Sequence, residues 1–73
     1  MQHHYSMEIQ WSEADGCFLV TLPEFADLLV QPATHGDTYE EAVKHGQEMI
    51  ETLVELCQQD GKPLPEPKTL QYA

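Results

Sequence analysis

Gly36-Asp37-Thr38-Tyr39-Glu40-Glu41-Ala42 constrains this chain more than any other stretch, because every local signal in it reads as a helix start. Thr38 with Glu41 three residues later forms a capping box: the hydroxyl can accept from the Glu41 amide, and the carboxylate can reach back to the Thr38 amide. Gly36 is expected to permit the turn into that start. Asp37, Glu40 and Glu41 bring negative charge to the positive end of the helix dipole. Apolar residues then recur at Tyr39, Ala42, Val43, Met49, Ile50, Leu53, Val54, Leu56 and Cys57, with Gly46 on the same stripe. That periodicity predicts one amphipathic helix from Tyr39 to about Gln59. Gly61 is expected to be a left-handed cap, and Pro63 prevents continuation.

A helix with one wide apolar face needs a sheet to cover. Residues 5–11 alternate, with Tyr5, Met7, Ile9 and Trp11 on one side and Ser6, Glu8 and Gln10 on the other, which predicts a half-buried strand. Residues 13–16 end in Asp15-Gly16 and supply hairpin chemistry. Residues 17–22 are apolar on both faces, as suits a strand in mid-sheet, and Pro23 ends them. Residues 23–25 read as a turn. A third strand is predicted over 28–31, extending in broken form toward Thr34, at an edge or bulge because Pro32 lacks an amide. Pro63, Pro65 and Pro67 force an extended path, read as a strap from the helix back to the sheet in preference to a ligand for a proline-binding module. Residues 69–72 can add a short fourth strand. The expected fold is α+β: a three-stranded antiparallel meander followed by one long helix, in a single domain over residues 1–73.

Charge narrows the partners. The 73 residues hold 13 acidic side chains against Lys44, Lys62 and Lys68, with no arginine, for a formal charge of −10. Such a surface repels phosphate, which argues against direct nucleic-acid binding, and it suits a basic protein partner. It also keeps a small domain soluble. No apolar run is long enough to span a membrane, and the N-terminus has neither a basic nor an apolar signal region, so a cytoplasmic location is expected. Cys17 and Cys57 are expected to be free thiols, a disulfide between them being the alternative.

The residues that carry catalysis elsewhere are thinly arranged here. His3-His4 lacks a third metal ligand nearby. Glu41, His45 and Glu48 can share a helix face, but the two-histidine spacing of a zinc-protease helix is absent. Cys57 has no basic neighbour to activate it, and His35 is one loop histidine. No phosphate loop or dinucleotide turn appears. No catalytic residue, metal or cofactor is expected.

Residues 5–11, Asp15-Gly16, Leu22-Pro23-Glu24, Gly36-Asp37-Thr38, Glu40-Glu41-Ala42 and the proline segment 63–67 occur in an order that resembles the HicB-like antitoxins. The resemblance spans nearly the whole chain, and its most specific part is Gly-Asp-Thr-x-Glu-Glu-Ala opening a long helix after a Pro-Glu turn. It implies a partial ribonuclease H-like fold without that enzyme's activity. It also implies a protein partner: HicA, a small basic toxin of double-stranded-RNA-binding-like fold that cleaves messenger RNA. The chain departs from the family between Pro23 and Gly36, where the family has a shorter stretch with a Gly-Cys pair. It also shows no ribbon-helix-helix or helix-turn-helix after the helix, so operator binding by this chain is not expected. The resemblance implies dimers or tetramers, and a single helix over a sheet with two apolar sides leads to the same expectation. Self-contact is expected at the residual face or at the edge near Leu28 to Gln31. Partner contacts are expected at Asp27, Asp37, Glu40 and Glu41. Two other readings stand beside this one: a stand-alone structural or regulatory oligomer derived from the same fold without a toxin, and a minor enzyme using Glu41, His45 or His35.

Overall fold

Strict alternation in the first strand and two-sided hydrophobicity in the second produce a hairpin with a defined register. The computed structural model describes residues 3–70. Strand β1 (Glu8–Ser12) pairs antiparallel with β2 (Cys17–Thr21), and Ile9 lies opposite Val20 and Trp11 opposite Phe18. The connecting loop closes through Gly16, whose φ of 64° is in the left-handed region that glycine tolerates best. Its amide donates to Ser12 O at 2.9 Å. A single 3-10 turn (Pro23–Phe25) follows. Strand β3 (Thr34–Gly36) then pairs antiparallel with β2, and helix α1 (Tyr39–Asp60) crosses one face of the sheet. The strand order β1-β2-β3 puts the apolar β2 in the middle. This is the α+β, β-β-β-α arrangement expected from the sequence.

The third strand is not where apolar residues suggested. Residues 28–31 are a turn and bends outside the sheet, and β3 begins only at Thr34. The physical reason lies in Gln31. Its Oε1 accepts from Leu22 N–H at 3.1 Å, and its Nε2 donates to Leu22 O at 3.0 Å. A side-chain amide therefore takes the place of a strand backbone beside Leu22, and the chain passes through a cis Gln31-Pro32 bond before pairing begins. Backbone pairing resumes with Ala33 N–H donating to Val20 O at 2.9 Å. Strand β1 likewise starts later than residue 5. Continuing the register would put Ser6 opposite Pro23, which has no N–H to give, and the Ser6 amide turns to the Glu24 carboxylate instead.

The core lies between β2 and α1. Val20, Leu22, Phe25, Ala42, Ile50, Leu53 and Val54 are buried, with Tyr5, Met7, Ile9, Phe18, Leu29, Ala33 and Met49 packed around them. Each large side chain so buried contributes about 1.5–3 kcal/mol. No polar side chain is buried among the described residues. The opposite face of the sheet carries Glu8, Gln10, Ser12 and Thr21 beside half-buried Cys17 and Leu19. It is therefore more polar than the expected second apolar face. Cys17 and Cys57 are both free thiols.

Gly36 has a role other than the turn expected for it. Its φ is not positive; instead it sits where β3 meets the helix. A Cβ built there would lie 2.5 Å from Ala42 N, 2.7 Å from Ala42 Cα and 2.9 Å from Glu41 C. All three are backbone atoms, so only glycine allows this approach. At Gly46 the first atom met is Met7 Sδ at 2.5 Å, the end of a flexible side chain.

The proline segment behaves as a strap. Tyr5 Oη donates to Pro65 O at 2.7 Å, and Lys68 N–H donates to Glu24 Oε2 at 2.9 Å. Glu24 also accepts from Ser6 N–H and Ser6 Oγ, so one carboxylate ties the N-terminal arm, the 3-10 turn and the strap together. Burial works to raise its pKa, but the hydrogen bonds from Lys68, from its own amide and from Ser6 outweigh burial, and the net effect is a lowered value. Burial raises the Tyr5 hydroxyl, helped by the nearby Cys57 and Glu24. Thr69 and Leu70 are not in a strand, and Gln71 and Tyr72 of the suggested fourth strand lie outside the described residues.

Two outcomes are expected. Gly36→Ala should destabilise by about 1–3 kcal/mol through overpacking against the helix backbone, whereas Gly46→Ala should be near neutral, since helix propensity offsets a small shift of Met7. Urea titration of the two variants checks the order; equal midpoints would contradict it. Glu24→Gln should weaken the fold at pH 7 by about 1 kcal/mol, a value reduced from that of a buried charged hydrogen bond because Glu24 is partly solvated. Because folding lowers this pKa, the contribution is present above about pH 4.3 and is lost as pH falls through the folded value. The variant should therefore show a smaller drop in urea midpoint between pH 7 and pH 3 than the parent; equal drops would remove Glu24 from the account.

Candidate functional site

The helix start fulfils the local signals that predict it, with one change of partner. Thr38 is extended, at φ −130° and ψ 165°, and its Oγ1 accepts from Glu41 N–H at 3.0 Å. The Glu41 carboxylate does not return to the Thr38 amide. It accepts from Asp37 N–H at 2.9 Å, one residue further out. The reciprocal bond is kept and the box is wider by a residue. At the other end Gly61 has φ 70°, and Lys62 N–H donates to Cys57 O while Gly61 N–H donates to Gln58 O. This double bond pattern ends the helix one residue beyond expectation.

Charge and aromatic surface meet at the helix start. Asp37 and Glu40 are exposed, while Glu41 is half-buried and already engaged. Thr38, Glu40, Glu41, Lys44 and His45 line a shallow hollow of about 360 Å³. On the neighbouring surface the Trp11, Phe18 and Tyr39 rings form a row. Trp11 meets Phe18 edge-on with centroids 5.1 Å apart, and Tyr39 lies against Phe18 at 4.3 Å and 32°. Trp11 and Phe18 are adjacent because they are directly paired across β1 and β2, and Tyr39 comes from the first turn of α1. Trp11 is 50% exposed and Tyr39 66%.

Asp27 stands apart from the other three acidic candidates. It follows the 3-10 turn, whose Phe25 packs on Tyr5 at 4.8 Å, and Tyr5 in turn bonds the strap beyond the helix C-terminus. Asp37, Glu40 and Glu41 lie together at the opposite end. The four acidic positions expected to meet a partner thus fall in two separate places.

The histidines form one local arrangement. His45 Nδ1 donates to the His35 carbonyl oxygen at 2.6 Å, which fixes the proton on Nδ1, and the two rings lie 6.4 Å apart. Glu48 lines the same groove, with Thr34, Met49 and Thr52. Glu41 neighbours His45 in the hollow on the other side but does not line this groove, and its carboxylate accepts from Asp37 N–H. No group of three or more His, Cys, Asp and Glu side chains among the described residues is placed to hold a metal ion. No helix among them is long and apolar enough to cross a membrane.

Sequence reasoning did not find the aromatic row, the Glu24 junction or the His45–His35 contact. The row was open to discovery from the hairpin register, because a four-residue loop closed by Asp15-Gly16 sets Trp11 opposite Phe18. Comparison with family models, curated proteins and solved structures gave no match.

The helix start gives one direct test. Thr38→Ala should lower stability by about 1 kcal/mol, since the Glu41 amide loses its partner. An unchanged denaturation midpoint would show that this hydroxyl does not cap the helix.

Proposed function

We propose that this chain is a non-enzymatic protein-binding module, a HicB-like antitoxin that neutralises a small basic, HicA-type RNA-cleaving toxin in the cytoplasm. The observation that carries this reading is the concentration of exposed negative charge beside exposed aromatic surface at the start of α1. A net charge of −10 without a single arginine steers a basic protein toward that surface and speeds its association. The same charge opposes RNA or operator DNA, so inhibition acts on the toxin and not on its substrate. The order of motifs from residue 5 to residue 67 supports the family assignment.

Asp37 and Glu40 are the acidic positions best placed to meet the toxin, since both are exposed. Glu41 contributes by holding the helix start in place, and Asp27 marks a second, separate contact. Self-association as a two-fold dimer belongs to the same reading. Its support is the exposed pair Leu28 and Val30, 43% and 89% accessible, in the segment where self-contact was expected.

The decisive experiment is co-expression with a small basic protein found encoded next to this chain. Co-purification and relief of toxicity are expected; failure of a genuine RNA-cleaving neighbour to be inhibited would overturn the reading, as would a neighbourhood with no such protein. Paired reversal of Asp37 and Glu40 to lysine should slow association about tenfold at low salt and flatten its salt dependence. Equal rates would remove these residues from the interface. For self-association, light scattering should give about twice the 8.3 kDa chain mass, and the monomer value would contradict the dimer.

A further inference from the structure

The aromatic row at the helix start has the exposure and surroundings of a binding surface. The edge-on and tilted rings leave aromatic surface open: half of Trp11 and two thirds of Tyr39 face solvent, with Val43 37% exposed one helical turn beyond Tyr39. Phe18 lies between them as a fixed floor, held by pairing with Trp11 on one side and Gly36 on the other. Trp and Tyr are the side chains that most often carry protein-binding energy, because they bring large area with few torsions to freeze.

The surrounding charge says which groups fit there. Glu13 and Asp15 stand in the hairpin loop just after Trp11, and Asp37 and Glu40 bracket Tyr39. Lys44, the nearest lysine along the helix, lines the hollow on the Glu41 and His45 side. The rings are thus carried by segments rich in exposed carboxylates, of which Asp15 accepts from Ser12 Oγ at 2.8 Å, and negative charge beside an open ring face attracts a cation that can stack on it. A planar guanidinium suits both demands, because it stacks on a ring while its edge donates to carboxylates. This chain has no arginine, so a second copy cannot supply that group. A two-fold contact here would also set like carboxylates against one another.

We propose that the Trp11–Phe18–Tyr39 row, with its acidic surround, is a docking surface for arginine side chains of a basic protein partner. This deepens the reading above and rests on it for the identity of the partner, but the chemistry of the surface can be tested alone.

Trp11 is the only tryptophan, so its emission reports directly on the row. The full chain is titrated with an acetylated and amidated Arg-Gly repeat peptide, and in parallel with a Lys-Gly repeat of equal length. Saturable change of Trp11 emission with the arginine peptide is expected, weaker at high salt, with the lysine peptide binding less tightly. Tyr39→Leu keeps apolar cover on Phe18 but removes the π face, and should weaken the arginine peptide about three- to tenfold. Glu55→Gln, an exposed charge change away from the row, should leave affinity nearly unaltered. Equal affinity for the two peptides, or no effect of Tyr39→Leu, overturns the proposal. So does a concentration-dependent change in Trp11 emission of the protein alone that Tyr39→Leu abolishes, since a second copy would then occupy the row. Arginine-peptide binding lost in Tyr39→Leu, without inhibition of any toxin, would uphold the surface and reject the antitoxin reading. Toxin inhibition with peptide binding indifferent to Tyr39→Leu would do the reverse.

Discussion

The close approach of β3 to the first turn of α1 is the contact on which the rest of this small fold depends. At Gly36 the strand backbone comes so near Ala42 that a single methyl group would collide with helix backbone. The fully buried Ala42 is the complementary small residue on the helix side. The contact joins the cap to the sheet, since Gly36 leads directly through Asp37 into Thr38. It also sets the height at which the helix crosses β2, and thus places Ile50, Leu53 and Val54 over Val20 and Leu22. With a chain this short, only roughly 60% of the unfolded surface is buried, and few other contacts are available to correct a misplaced helix.

Away from that contact, side chains supply bonds that backbone supplies in larger sheets. Gln31 satisfies both the amide and the carbonyl of Leu22, beyond the last residue of β2. Glu24 gathers amides from Ser6 and Lys68, residues 18 and 44 positions away in sequence. An unpaired backbone group near the core costs about 1–3 kcal/mol, so each such substitute matters to a domain of marginal stability. Both lie at the same end of the sheet, where β1 and β2 stop pairing and the strap arrives.

The parts of the structure that were legible in the sequence are those set by local chemistry. Thr38, Glu41 and Gly61 placed the helix ends to within a residue, and alternation with Asp15-Gly16 located the hairpin. The third strand was misplaced because Leu28, Leu29 and Val30 have strong strand propensity, whereas the residues that pair are Thr34, His35 and Gly36. Their pairing is decided by the fit of Gly36 against the helix and by the side chain of Gln31, both tertiary effects that override propensity. Gly36 was noticed for conformational freedom and matters for size. For the candidate site, Asp37, Glu40 and Glu41 were found because they belong to the helix start. Asp27 was chosen as an acidic position in the loop before the helix, and the fold sets it after the 3-10 turn, at the other end of β2. In the Trp11–Phe18–Tyr39 row, the loop length makes the Trp11–Phe18 pair legible, whereas the place of Tyr39 depends on how the helix crosses the sheet, which spacing does not show.

Acidity and aromatic exposure converge on one end of the molecule, and the proposed role as an inhibitor of a basic protein follows from that convergence. The opposite end carries the exposed Leu28 and Val30 beside the strap, the surface proposed for contact with a second copy. Amide chemical-shift mapping of the isotope-labelled chain, titrated with the proposed basic toxin partner, tests this division most directly. The account predicts that the largest changes fall on residues 11–18 and 36–43, with 28–31 and 62–68 little affected. Changes concentrated on 28–31 and the strap, with the helix start silent, would contradict it.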